Sequence, residues 1–148
     1  MMINNIECKQ ASVVDLDQVL KIDNSLFELD KYSMQTFKES IENNTQKLLV
    51  ASVDGKVVGY ILFSYIMDEA ELLKIGVSTQ FQRMGVGKIL HESMLKFLKE
   101  QSVKNIFLEV RIDNNIAIKF YEKNGYEKVT VREKYYQGID AVIYRKGI

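Results

Sequence analysis

Two glycines three residues into a basic stretch, Gln82-Arg83-Met84-Gly85-Val86-Gly87-Lys88, give the chain its first recognisable chemistry. The stretch lies between an apolar run ending at Val77 and an amphipathic run starting near Val86. Glycines at this spacing, opening a helix, leave several backbone N–H groups pointing forward with the positive end of the helix dipole behind them. Such an end binds anions, and a phosphate most readily, because no side chain holds it off the backbone. Arg83 and Lys88 add mobile positive charge at the edge. The same residues also suit a tight strand-to-helix turn with solvated basic side chains, so the surrounding elements must decide between the two.

Those elements fit one domain spanning residues 1–148. A chain of this length buries about two thirds of its unfolded surface in one core. Apolar residues make up 47% and charged residues 27%, which points away from a disordered or membrane-embedded chain. Twenty basic residues balance twenty acidic ones, so no broad nucleic-acid footprint is expected. The first ten residues lack a basic segment followed by an apolar one, and no apolar run is long enough to cross a bilayer. A cytoplasmic location is the expectation. The single cysteine, Cys8, forms no intramolecular disulfide and reads as a structural thiol. One His and one Cys also make a structural zinc site unexpected, and no metal is assigned.

In chain order, Ile6 to Gln10 reads as a strand, and Ser12 with Asp15 three residues on reads as the start of a helix. Val13, Leu16, Val19 and Leu20 form its apolar stripe. Asp23 to Tyr32 reads as a polar loop that includes Leu26, Phe27 and Leu29. Ser33 caps a second helix, Met34 to about Asn43. Lys47 to Val53 and Lys56 to Ile66 form a hairpin about Asp54-Gly55, and Glu71 to Val77 adds a third strand. After the glycine stretch a helix runs to about Glu100 and a strand covers Asn105 to Arg111, parallel to the strand at Leu72 to Val77. Asn114 or Asn115 caps a shorter helix that closes at Asn124-Gly125. Tyr126 to Glu133 and Asp140 to Arg145 then alternate as a last hairpin about residues 135–138. The predicted order is βααβββαβαββ, an α/β fold with a mixed central sheet and helices on both faces.

A strand, then Gln82-Arg83-x-Gly85-x-Gly87, then a long helix resembles the acetyl-coenzyme A motif of the GCN5-related N-acetyltransferases (GNAT). The element order supports the likeness over essentially the whole chain. Further residues are similar to the bacterial ribosomal-protein alanine N-acetyltransferases, the RimI group. They are Leu108-Glu109-Val110-Arg111, Asn114, Ala117, Tyr121, Gly125-Tyr126, Arg132, Tyr135-Tyr136 and Asp140-Ala141.

The resemblance implies an acetyltransferase using acetyl-coenzyme A. The N–H cradle of Arg83, Met84, Gly85, Val86, Gly87 and Lys88 would receive the pyrophosphate. The edge at Ile75, Gly76 and Val77 would pair with the peptide-like pantetheine arm. An N–H at that strand end would hold the oxyanion, a role commonly worth about 3 kcal/mol of barrier. Asn114 would sit beside the sulfur, with Glu109 the general base and Tyr121 the general acid. On its strand Glu109 shares a face with Phe107 and Arg111, away from the aliphatic residues. Tyr135 and Tyr136 would wall the peptide acceptor, the N-terminal alanine of a small-subunit ribosomal protein.

Plainer readings stand beside each role. Glu109 also suits a surface carboxylate paired with Arg111, Tyr121 a core filler, Asn114 a helix cap, and Tyr135-Tyr136 an ordinary turn. The same fold also serves acetylation of a lysine side chain, a polyamine or another small amine, and a coenzyme A-binding interaction module needs no catalysis at all. The chain departs from the family at Lys31-Tyr32-Ser33, where a proline-tryptophan pair is common, and at Gly76, where alanine is frequent.

Overall fold

The computed structural model describes residues 5–28 and 30–148. Leu29 and the first four residues of the amino-terminal reading lie outside them, as does the side chain of Tyr136. The elements follow the expected order. β1 (Ile6–Gln10) leads through a 3-10 turn into α1 (Leu16–Leu26) and α2 (Met34–Glu42). β2 (Gln46–Val53), β3 (Lys56–Ile66) and β4 (Glu69–Val77) form a meander. α3 (Val86–Glu100), β5 (Asn105–Arg111), α4 (Asn115–Lys123), β6 (Glu127–Tyr136) and β7 (Ile139–Gly147) complete the chain. The strands make one sheet in the order β1-β2-β3-β4-β5-β7-β6, with β4 and β5 parallel and the other neighbours antiparallel.

Local chemistry sets most boundaries. The Ser33 hydroxyl accepts from the Thr36 amide at 3.1 Å and so starts α2. Asp54 and Gly55 both adopt positive φ, 51° and 79°, the left-handed pair of a two-residue hairpin turn. The Asp15 carboxylate accepts from both the amide and the hydroxyl of Ser12, at 2.9 and 3.2 Å. The turn so capped is the 3-10 segment Val13–Asp15, which leaves Val13 65% exposed rather than on the buried stripe.

One core packs α3 and α4 against the sheet through Val86, Leu90, Met94, Leu98 and Tyr121 over Ile61, Phe63, Leu72, Ile106 and Leu108. A second, on the opposite face, packs α1 and α2 through Leu16, Val19, Ile22 and Phe37 over Leu48, Val50, Tyr60 and Leu62. Helices therefore cover both faces, but α1 and α2 pack only on the β2–β4 side. The α1–α2 face of β5, β7 and β6 carries Glu109, Arg111, Ile143 and Arg132 instead of a helix contact.

α1 runs past the predicted loop start and takes in Asp23, which is fully buried. A bulge in β4 is the second departure. Leu62 pairs with Lys74 and Phe63 with Leu72, so Leu73 is an extra residue and Lys74 turns to the α1–α2 side together with Leu62. The last hairpin also extends further than its pattern suggests, and Tyr135 and Tyr136 end strand β6 while Gln137-Gly138 makes the turn.

Candidate active site

β4 holds β3 along a full antiparallel ladder, with Gly59 opposite Val77, Tyr60 opposite Gly76 and Ile61 opposite Ile75. Toward β5 it makes only three parallel pairs, Glu69 with Asn105, Ala70 with Ile106 and Glu71 with Phe107. Beyond them β5 continues on β7 while β4 continues on β3, so the expected parallel pairing along Leu72 to Val77 is confined to the strand starts. The sheet thus opens at Ile75-Gly76-Val77. A strand edge inside an opening offers its N–H and C=O groups to a peptide-like guest.

The glycine stretch begins where that edge ends. Gln82 folds back and donates its Nε2 to the Val77 carbonyl at 3.0 Å. Arg83 and Gly85 take φ of 62° and 90°, and this double left-handed step turns the chain into α3. The Gly85 carbonyl accepts from the Ile89 amide at 3.1 Å, so the amides of Val86, Gly87 and Lys88 precede the first intrahelical donor. A Cβ on Gly87 would stand 3.2 Å from Phe120 Cε1, so the glycine lets α3 close on α4. Backbone donors, a left-handed glycine and two cations at a helix start suit a pyrophosphate, and the adjoining edge suits the amide arm behind it.

Tyr121 projects from α4 with 8% of its surface exposed, its ring 5.7 Å from those of Phe120 and Tyr126. The Tyr126 hydroxyl pairs with His91 Nε2 at 2.9 Å. Burial pushes the Tyr126 phenol well up, with the Tyr121 phenol adding to the shift. Burial, the Asp23 carboxylate and, more weakly, the Tyr32 and Tyr121 phenols do the same to Tyr60. Tyr60 and Tyr121 come from cores on opposite faces, yet the Tyr121 phenol lies close enough to contribute to the shift at Tyr60. The Tyr60 ring also explains Gly76, because a Cβ there would meet Tyr60 Cε1 at 2.7 Å.

Glu109 lies half-buried on β5 and pairs with Arg132 Nη1 of β6 at 2.5 Å. Its partner is not Arg111, whose guanidinium instead grips Asp113 at 3.0 and 2.9 Å. Arg132 stacks on Tyr135 at 4.5 Å. Glu71 of β4 joins this group: desolvation and the Glu109 carboxylate raise its carboxyl above the ordinary range, and Arg132 opposes them. Tyr32, from the α1–α2 connection, is raised by burial, by Asp23 and Asp30, and in smaller part by Glu71. Glu109, Arg132 and Tyr135 thus form one contact cluster on the α1–α2 face, with Glu71 within electrostatic reach of Glu109 and Arg132, and Tyr32 within reach of Glu71.

Asn114 caps α4, its Oδ1 accepting from the Ala117 amide at 3.2 Å. The sequence pattern does not single out Glu71, Asp23, Lys74 or Tyr60. A lysine inside the run Leu72-Leu73-Lys74-Ile75 is the one available signal, because a lysine that cannot reach water needs a buried acid. Among the described residues no group of three or more His, Cys, Asp or Glu is placed to hold a metal, and no helix is long and apolar enough to cross a membrane.

Comparison with known proteins agrees with this arrangement. Residues 14–126 match the Acetyltransferase (GNAT) family. An N-alpha-acetyltransferase of Sulfurisphaera tokodaii is 35% identical, covering 91% of this chain and 89% of that one. A putative ribosomal protein bS18-alanine N-acetyltransferase of Bacillus subtilis is 30% identical over 87% of each. The crystal structure of the ribosomal-protein-S18-alanine N-acetyltransferase from Escherichia coli superposes with a TM-score of 0.87 at 28% identity, covering 97% of this chain and 94% of that one. The chain therefore belongs to the GNAT family and is an N-acetyltransferase.

Proposed function

We propose that this single-domain enzyme transfers acetyl directly to the N-terminal alanine amine of a small-subunit ribosomal protein, in the cytoplasm and without a covalent enzyme intermediate. Acetyl-coenzyme A supplies the acetyl thioester. The observation that carries the reading is the cluster of Glu71, Glu109, Arg132 and Tyr135 on the α1–α2 face, opposite the α3 and α4 core; we take it, with Tyr32, as an acceptor groove with Glu71 and Glu109 in its floor that meets the β4–β5 opening. Donor and acceptor then approach the opening from different faces of one sheet.

In this reading the amides of Arg83 to Lys88 hold the pyrophosphate and Ile75-Gly76-Val77 hold the pantetheine arm. Asn114 stands near the sulfur through the start of α4. A backbone N–H of the β4 edge polarises the carbonyl. Glu109 accepts the amine proton, directly or through water, and Tyr121 protonates the departing thiolate. An N-terminal amine of pKa about 7.7 to 8.0 is largely protonated at neutral pH, so a base helps it without having to do much. Tyr135 and Tyr136 border the acceptor. Arg132 pairs with Glu109 and offsets the floor's acid charge, which favours a peptide terminus over a polyamine.

The test is mass spectrometry of two peptides incubated with enzyme and acetyl-coenzyme A. One carries a free alanine terminus copied from the host's ribosomal protein, and the other is blocked at its terminus and contains lysine. Acetylation of the free terminus alone is expected. Modification of lysine alone would overturn the acceptor and leave the family unchanged.

A further inference from the structure

Lys74 lies in the middle of β4, 7% exposed, and acetyl transfer as described makes no use of it. The bulge at Leu73 turns it to the α1–α2 face. There its ammonium meets the Asp23 carboxylate at 2.7 Å, donates to the Asp30 carbonyl, and lies 4.3 Å and 4.0 Å from the ring centroids of Phe27 and Tyr32. Asp23 in turn accepts from the Tyr60 hydroxyl at 2.5 Å and from the Tyr32 amide at 2.6 Å. Every one of these partners except Tyr60 belongs to the end of α1 or to its connection with α2. A buried charge persists only where its surroundings compensate it, so one ammonium draws this connection onto β4.

The connection it draws in carries Tyr32, whose phenol lies within electrostatic reach of Glu71, assigned above to the proposed groove floor. Through Asp23 the same cluster reaches Tyr60, whose ring fills the space beside Gly76 at the opening. We propose that Lys74 is a positioning residue for the acceptor: its ammonium holds the α1–α2 connection against β4 as one wall of the acceptor groove. This rests on the acceptor groove described under the proposed function. The connection is too short to form an apolar core of its own, so removing the tie releases the wall and leaves the coenzyme A side intact.

The double variant Asp23→Asn/Lys74→Met removes both charges at nearly constant volume, the form in which a buried pair is best replaced. Its KM for the acceptor peptide is expected to rise at least about tenfold, with KM for acetyl-coenzyme A unchanged within twofold. Amide exchange is expected to quicken at least about tenfold in the α1–α2 connection and to stay unchanged in β2 and β3. An unchanged acceptor KM overturns the proposal, even where exchange quickens, because the tie then holds no acceptor wall. In the unaltered enzyme the Tyr32 amide should exchange as slowly as the central strands, and rapid exchange overturns the proposal without any variant. If the unaltered enzyme binds acetyl-coenzyme A but acetylates no amine, the proposed function fails, and the exchange measurements still decide whether Lys74 holds the connection.

Discussion

In the proposed mechanism two side chains from different elements divide the proton chemistry, and each can be tested alone. Tyr121→Phe keeps the ring contacts with Phe120 and Tyr126 and removes only the hydroxyl. Turnover is expected to fall about 100-fold with the dissociation constant of coenzyme A unchanged, read by steady-state kinetics and calorimetry. Full turnover would remove the acid assignment. Glu109 is coupled to Glu71 and Arg132, so its neighbours give a second test. Followed by carboxyl NMR, Glu71 is expected to titrate above the ordinary glutamate range. It should move further up in Arg132→Met, which removes the opposing cation, and back down in Glu109→Gln, which removes the repelling carboxylate.

α3 serves the site at one end and the core along its length. At its start Gly85 has φ of 90°, a conformation that costs a residue with a Cβ about 1 to 2 kcal/mol. Gly85→Ala is expected to lower stability by that amount in a denaturant titration and to weaken coenzyme A binding about tenfold, because the amides of Val86 to Lys88 swing out of line. In mid-helix His91 is 1% exposed, and burial lowers its pKa to about 4, with Lys146 adding to the effect. The unfolded chain takes up this proton near pH 6.5 and the folded one only near 4. Between those values the unfolded state therefore holds more protons, and stability falls as pH is lowered. The loss is at most about 3 kcal/mol across that window. Thermal melts from pH 7 to 4 should show it, and His91→Gln should flatten this part of the profile.

Taken as a body, the molecule is a seven-stranded sheet in which β4 and β5 pair only at their starts. A guest that pairs with the open edge should act on the whole fold. Acetyl-coenzyme A at 100 times its dissociation constant is expected to stabilise the enzyme by about 2.7 kcal/mol, seen as a raised melting temperature. The newly protected amides in hydrogen exchange should lie at Ile75 to Val77 and at Val86 to Lys88. Protection confined to the α1–α2 connection would place the ligand elsewhere.

Much of this architecture is local in origin and could be read residue by residue. The order of elements, the Asp54-Gly55 hairpin, the Ser33 cap, the turn at Gly85 and the extent of α3 follow from periodicity and turn chemistry within a few residues. The backbone of the proposed anion cradle is legible for the same reason, since it comes from one continuous stretch. Contacts between distant residues are another matter. The neighbour of Glu109 on its own strand face is Arg111, but Asp113 captures that guanidinium and Arg132 arrives from β6, 23 residues on. Strand alternation places Lys74 on the face of Leu72, and a single extra residue in β4 reverses it toward Asp23. Asp23 reads as part of a polar loop until Lys74, Tyr60 and the Tyr32 amide supply the partners that let it be buried in a helix. A carboxylate's environment depends on groups brought near by the sheet, and neither strand register nor a bulge has a reliable signature within the few residues that form it.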